Sequence, residues 1–513
     1  MAITGVGGIG GLVSGMDSQT LIEQLLRLEA QPLVNIKNQQ KKLDLRKGLL
    51  QEINSSLLAL KTKAEALTKA ENIQTKMVNS SNDKGAIATI SDATKVVTGT
   101  YNVSVTKLAT SLSAKSADQS ARTNPTTKQL NYSGTFNLTW SDGTTTKTSE
   151  PITIDESDSL AHIASKINSA VDNSSNPEKM KIKATVVDNT LIISSEDTGA
   201  GRTVQIGGND SQAIFGSSGL GLIDGSGKLD TTAASGGQGG NSGNDAEMIV
   251  NGVTVRRSSN TNLNDVILGV TLSLKGQGET TTVQVDPDLD TSVSKIKEFV
   301  TQYNSTIDLI RTRLSEKSDP NATTDFGKGK GLLRADSALI SIESSLRSTL
   351  TTVFNSSSVY KNLRAIGIDI DKADNGVSGK LAVDETKLRD ALTKNPNEVQ
   401  KLFFVDSNDN DKLDENDKTI SSGFVGLLYN KLFMLTDTAT NTYGNNSTPK
   451  GIIPSRIKSL EKSFESFDDK IEDFNRRLEM KRRQLQTQFT AMEKLMQQNQ
   501  SALGFLQQKM KVE

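Results

Sequence analysis

The spacing of apolar residues near the C-terminal end constrains this chain more than anything else in it. Ile457, Leu460, Phe464, Phe467, Ile471, Phe474 and Leu478 follow one another at alternating steps of three and four. That rhythm keeps one face of a helix apolar and is the pattern of a coiled-coil strand. After Leu478 the register slips. Leu485, Phe489, Met492, Met496, Leu503, Leu506 and Met510 continue the stripe, with Arg482 and Asn499 at seam positions. The step Phe474–Leu478–Arg482 is a stutter, so the supercoil is expected to unwind locally there. Pro454 suits a first helical turn, where its missing N–H costs nothing, and no proline follows it. The expected helix, 455–510, is about 84 Å long at a rise of about 1.5 Å per residue. A lone helix cannot bury such a stripe, so this one requires partners.

The start of the chain supplies a candidate. Asp17 or Ser18 can cap a helix whose apolar face is Leu21, Ile22, Leu25, Leu26 and Leu28. Pro32 is expected to break or kink it. A second helix then carries Ile36, Leu43, Leu50, Ile53, Leu57, Leu60, Ala64 and Leu67 along a heptad seam. Both ends are therefore long amphipathic helices, with everything else inserted between them. The simplest geometry is an antiparallel pair carrying a body at its far end. The plainer alternative, a hairpin that only holds one globular protein closed, sits poorly with helices this long. Isolated seams bury little, so the ends are expected to be only partly ordered before assembly.

The remainder fits several small units rather than one large core. The 513 residues suggest about three or four domains. Apolar residues make up 34% and aromatic residues 4%, both low for a single large core. A net charge of −1 gives no electrostatic case for nucleic acid or an anionic membrane. Cysteine is absent, so folding outside the cell would need no oxidation. No run approaches a transmembrane helix, which speaks against membrane insertion. The glycine-diluted start, 1–11, lacks the charged leader of a secretory signal and reads as a flexible tail. The expectation is a cytoplasmic protein, or one that leaves without a cleaved signal peptide.

Period-two patterns place strands at Gly99–Thr106, at Phe136, Leu138 and Trp140, and at Ile152 and Ile154. A short helix capped within 155–158 carries Leu160, Ile163, Ala164 and Ile167, and strands at 182–187 and 191–194 follow it. The stretch 216–243 is rich in glycine and serine and reads as loop or linker. Asn251-Gly252 signals a hairpin turn. From Thr291 the period is helical again, with Asp384 and Pro396 opening two further helices. The whole reads as an α+β multidomain chain. It has a terminal coiled-coil leg (1–66 with 452–513), a mainly helical body (67–109 with 288–451), a small β domain (110–124 with 245–287) and a small α+β domain (125–244).

Gly11-Leu12-Val13-Ser14-Gly15-Met16-Asp17, followed by the leucine-rich helix and Ala30-Gln31-Pro32-Leu33, resembles the start of bacterial flagellar filament cap proteins, the hook-associated protein 2 family. Gly379-Lys380-Leu381-Ala382-Val383-Asp384-Glu385-Thr386-Lys387-Leu388, running into Ala391-Leu392 and Asn395-Pro396-Asn397-Glu398-Val399, is similar to a second block of that family. The stretch 159–184 looks like an insertion motif shared by flagellin and hook proteins. The resemblance implies an axial protein exported through the flagellar channel that assembles as a ring at the filament tip. There it would promote insertion and folding of flagellin, and motility would require it. The implied partners are further copies of itself, flagellin, hook–filament junction proteins, and a cytoplasmic export chaperone engaging about 484–510 by analogy. Two other classes stay open: another axial protein such as flagellin, and a surface adhesin using the middle β domains on host or mucus ligands.

Little catalytic chemistry is visible. His162 is the sole histidine, and no cysteine or second histidine can join it. Trp140 reads as core. The basic cluster Arg476, Arg477, Lys481, Arg482 and Arg483 reads as a solvated helix face. One constellation is sharper. Asp406, Asn408, Asn410, Asp414 and Asp417 fall at positions 1, 3, 5, 9 and 12 of a calcium-loop pattern. Asp411 stands where that pattern wants glycine, and Asp417 is shorter than the usual glutamate. Bound Ca²⁺ and a plain acidic loop both remain open.

Overall fold

The structure, a computed structural model, describes residues 17–122, 124–354, 358–373, 375–405, 423–443 and 446–509. It divides into two units, Met1–Ile73 with Asp290–Glu513, and Gln74–Leu289.

In the first unit, helix α1 (Ser18–Glu29) starts on Asp17. That carboxylate accepts from the amides of Gln19 (3.1 Å) and Thr20 (3.0 Å), so Asp17 is the cap and Ser18 the first helical residue. Ala30 alone separates α1 from helix α2 (Gln31–Ala66). Pro32 sits in the first turn of α2, where no intrahelical N–H is needed. It starts a helix rather than breaking one. The C-terminal helix, Ile452–Lys509, runs unbroken for 58 residues. It lies antiparallel to α1 and α2. Ser18 Oγ donates to Glu493 Oε1 at 2.9 Å, Gln40 Nε2 donates to Asp468 Oδ1 at 2.6 Å, and Lys47 Nζ stands 5.7 Å from the Phe464 ring centroid.

The surroundings of α2 change midway along it. Ile36 and Leu43 are half-buried, whereas Leu50, Ile53, Leu57 and Leu60 are fully buried. From Leu50 onward the helix threads the body. Ser56 meets Thr306 (2.9 Å), Lys63 meets Glu298 (2.7 Å) and Glu52 meets Arg313 (2.7 Å), all on the helix Leu289–Ser315. Lys61 lies over the rings of Tyr429 and Phe433, on the helix Gly423–Thr436. The leg expected over 1–66 is therefore shorter in α2, ending near Lys47, and Leu50, Ile53, Leu57 and Leu60 belong to the body core. A heptad seam requires burial of one face and does not say whether one helix or several bury it. At the centre of the body, Phe424 is fully buried, with Phe299, Phe354 and Phe403 edge-on at 5.5, 6.1 and 6.3 Å.

The second unit holds two cores. Strands Lys76–Ser80, Thr280–Pro287, Gly99–Lys107, Ala246–Val250 and Val253–Arg257 form, in that order, one antiparallel sheet. Ala86–Ile90 joins Val270–Leu274 and Leu263–Ile267 in a second. Val103, Val105, Met248, Val270, Leu272 and Val283 fill the core these strands share. This corrects the expected boundaries. The segment 76–109 pairs with 246–287 and is not part of the helical body. The segment 110–124 lies on the other side of the divide. Its strand Thr110–Lys115 sits between Gly239–Asn244 and Thr190–Thr198, and its Leu112 and Ala114 pack into the second core. Period-two alternation marks a strand but does not name the sheet it joins.

That second core also buries Phe136, Leu138 and Trp140 under the helix Leu160–Asn168. The helix is capped by Ser159, whose Oγ accepts from the His162 amide at 3.3 Å, so the cap falls just past the expected 155–158. Asp158 instead accepts from the Asp155 amide and pairs with Lys166. The stretch 216–243 is not a linker. Leu220, Leu222, Ile223 and Leu229 are buried in the same core, and Gly239–Asn244 is a strand. Its glycines permit close approach: a Cβ on Gly240 would stand 1.9 Å from the Ser113 carbonyl oxygen.

Candidate functional site

Along the leg the apolar stripe is only partly covered by the fold. Ile457, Leu460, Phe464, Phe467, Ile471, Phe474 and Leu478 are all half-buried, and Leu485, Phe489, Met492 and Met496 continue them. Arg482, at the stutter, is exposed, as is Asn499 further on, and the half-buried stripe steps from Leu478 directly to Leu485. Met510 lies outside the described residues. Toward the end of the helix the stripe surfaces, with Leu503 57% and Leu506 56% exposed. On α1 only Ile22 of the apolar face is buried, while Leu21, Leu25 and Leu28 are exposed.

Charge is banded along the leg. Arg476, Arg477, Lys481, Arg482 and Arg483 are exposed within two turns. Arg476 pairs with Asp473 at 2.5 Å, Arg483 lies 3.5 Å from Glu479, and Arg477 stacks over Phe474. These are solvated surface pairs, each contributing about 0–1 kcal/mol.

Leg and body meet at Asp325, which pairs with Lys41 of α2 at 2.9 Å, and at the carboxylate of Asp336. Asp336 caps the helix Ser337–Leu350, accepting from the amides of Ala338 (3.1 Å) and Leu339 (3.3 Å). It also receives both Nη atoms of Arg456 at 2.8 and 2.6 Å and an Nη of Arg46 at 3.0 Å. Arg46 comes from α2 and Arg456 from the C-terminal helix, and the Asp336 side chain is 5% exposed. The Arg456 hydrogen bonds, against the opposing effect of burial, hold this carboxyl down to about 2.

No enzyme-like centre appears among the described residues. A cleft of about 510 Å³ beside α2 is lined by Lys63, Asp290, Lys297, Glu298, Glu385 and Arg389. Its charges are already matched: Lys63 to Glu298, Lys297 to Glu385 and Arg389 to Asp290, at 2.6 to 2.7 Å. His162 is an exposed helix residue with Nδ1 3.5 Å from Asp158 Oδ1. Trp140 is core, with Lys181 Nζ 5.0 Å from its ring centroid. No group of three metal-ligating side chains occurs among the described residues. Asp406, Asn408, Asn410, Asp414 and Asp417 lie outside them. No helix is long and apolar enough to cross a membrane among the described residues.

Two family models match: "Flagellar hook-associated protein 2 N-terminus" over residues 14–112 and "Flagellar hook-associated protein 2 C-terminus" over 243–501. Flagellar hook-associated protein 2 of Halalkalibacterium halodurans is 26% identical, across 98% of this chain and 99% of that protein. Its namesake from Escherichia coli is 27% identical, across 77% and 80%. A crystal structure of three domains of the Escherichia coli flagellar cap protein superposes with a TM-score of 0.60 at 25% identity, covering 80% of this chain and 99% of that one.

Proposed function

We propose, from the premise that this chain belongs to the flagellar hook-associated protein 2 family, a flagellar cap whose ring of copies sits at the filament tip and admits flagellin beneath it. The chain is a flagellar cap protein. One observation carries the reading furthest: the alignment with the Halalkalibacterium halodurans protein runs through leg, body and inserted domains alike. An adhesin would need only the middle domains to match, so that reading is not favoured.

In this reading the body and inserted domains hold the ring closed, and the half-buried legs dock at the filament end. Release and re-docking of the legs would make room for each incoming flagellin. Self-association, contact with flagellin and with the hook–filament junction proteins, and chaperone binding near 484–510 all belong to this proposal. So does export through the flagellar channel without a cleaved signal. The test is expression in a flagellated strain lacking its own cap protein, with electron microscopy of the purified chain. Restored swimming and closed rings are the expected results. Secreted flagellin monomer with no filaments, together with a chain that stays monomeric at every concentration, would reject the reading.

The same proposal includes Ca²⁺ at Asp406, Asn408, Asn410, Asp414 and Asp417, on the strength of their loop spacing. Titration calorimetry is expected to show binding that Asp406→Ala and Asp414→Ala each weaken. No heat at millimolar calcium would leave a plain acidic loop.

A further inference from the structure

The two cores of the second unit are joined by two strands that run from one core into the other. Gly99–Lys107 leads through Leu108 and Ala109 into Thr110–Lys115, and Gly239–Asn244 leads through Asp245 into Ala246–Val250. The strands pair on both sides of the crossing, Lys107 with Glu247 and Thr110 with Asn244. A two-stranded ribbon is marginally stable alone and twists more than a wide sheet. By itself it would let the cores bend and rotate against each other.

Here the ribbon is gripped from both cores. Asn260, in the loop between Val253–Arg257 and Leu263–Ile267, reaches Ala109 with both ends of its side-chain amide. Its Oδ1 accepts from the Ala109 N–H at 2.7 Å, and its Nδ2 donates to the Ala109 carbonyl at 2.8 Å. One side chain thus supplies the pairing that a neighbouring strand would make. Asn260 is itself anchored, its carbonyl accepting from the Leu274 amide at 2.7 Å. From the other core, the turn after Thr190–Thr198 closes on the same crossing. The Gly199 amide donates to the Thr110 carbonyl at 3.0 Å, Thr198 Oγ1 to the Ser258 carbonyl at 2.6 Å, and the Ala200 amide to Asp245 Oδ1 at 2.7 Å. Gly199 has a φ of +116°, and a Cβ there would stand 2.6 Å from the Ser258 Cβ, so the turn needs glycine to come this close.

We infer that this neck is a splint, with Asn260 and Asp245 the positioning residues that lock the ribbon, so that the two inserted cores move as a single arm. Asn260 fixes both the ribbon at Ala109 and the loop that presents Ser258 to the opposite core. A displacement of one core then reaches the other undamped, and a ring closed through either core fixes the place of both.

The chain has no cysteine, so Thr254→Cys on the first core and Thr185→Cys on the second give two unique, exposed spin-label sites. Pulsed dipolar spectroscopy of the full-length protein should show one narrow distance distribution. Asn260→Ala combined with Asp245→Ala should widen it about twofold. Asn260→Asp keeps the size and shape of the side chain but sets an acceptor-only carboxylate against the Ala109 carbonyl, and it should widen the distribution as well. A residue that only fills space would not respond to that exchange. Trp140, the only tryptophan and buried in the second core, reports whether the fold survives, and its emission should match the parent in each variant. Should the double variant shift that emission, Asn260→Asp alone decides. A broad distribution in the parent, or one that stays equally narrow in the variants, overturns the splint.

Discussion

Replacing Phe424 by alanine is expected to destabilise the body by about 3–5 kcal/mol, the range for removing a buried aromatic ring from a packed core. The ring is fully buried and stands edge-on to three others, Phe299, Phe354 and Phe403. Those rings come from three separate stretches of chain, so collapse around the vacancy would require several elements to shift together. Each lost edge-on pair adds about 0.5–1.5 kcal/mol beyond buried area. Urea unfolding followed by a probe in the body should show a lower midpoint at unchanged slope. Phe326→Ala is the control: that ring is 67% exposed with Lys330 over it, so its removal should change stability by about 0.5 kcal/mol or less. Equal effects of the two substitutions would mean that the cluster around Phe424 does not hold the body.

The second large effect is loss of capping on trimming the leg, and it depends on where the cut falls. Deleting 1–40 removes α1 and the half-buried start of α2 but stops short of Leu50. Body and inserted domains should then melt near the parent temperature, while filaments fail to form. Deleting 1–66 takes Leu50, Ile53, Leu57 and Leu60 with it and should unfold the body as well. Deleting 484–513 should behave like the shorter cut, because Leu485 to Met496 are only half-buried. Hydrogen exchange gives the same division within the intact chain. Amides from Leu50 to Ala64 should be protected to the level of the body, and those from Ile36 to Leu43 should exchange faster. Equal protection along all of α2 would mean a rigid leg. Normal filaments from the 1–40 deletion would mean that the leg is dispensable.

The leg was legible because a seam of three-and-four steps has few other solutions: Ile457 to Leu478 lie on one half-buried stripe as their spacing implies. The same rule failed on α2, since Leu43 and Leu50 are one heptad apart and yet occupy different environments. Spacing records which face is buried, not what buries it. The strand Gly99–Lys107 was visible from alternation, but its neighbours Thr280–Pro287 and Ala246–Val250 are more than a hundred residues away, and nothing local selects them. Composition hides the role of the stretch 216–243. Leu220, Leu222, Ile223 and Leu229 are core residues among glycines that let backbone touch backbone.

The antiparallel closure of the two chain ends also dictates an order of events. Ser18 and Glu493 touch although 475 residues separate them along the chain. In an unfolded polymer, the entropy of closing so large a loop opposes that contact, and the half-buried stripe returns little for it. Once the body has folded, the stub of α2 at Arg46 and the second turn of the C-terminal helix are already held together at Asp336. The effective loop shrinks to the leg itself, and the two helices can zip from that end toward the foot. A chain emerging from a narrow passage, whichever end leads, has only one of the two leg helices available until nearly all of it is out. On the proposed export route the leg would be the last element to close, and its completion would report that both leg helices have arrived.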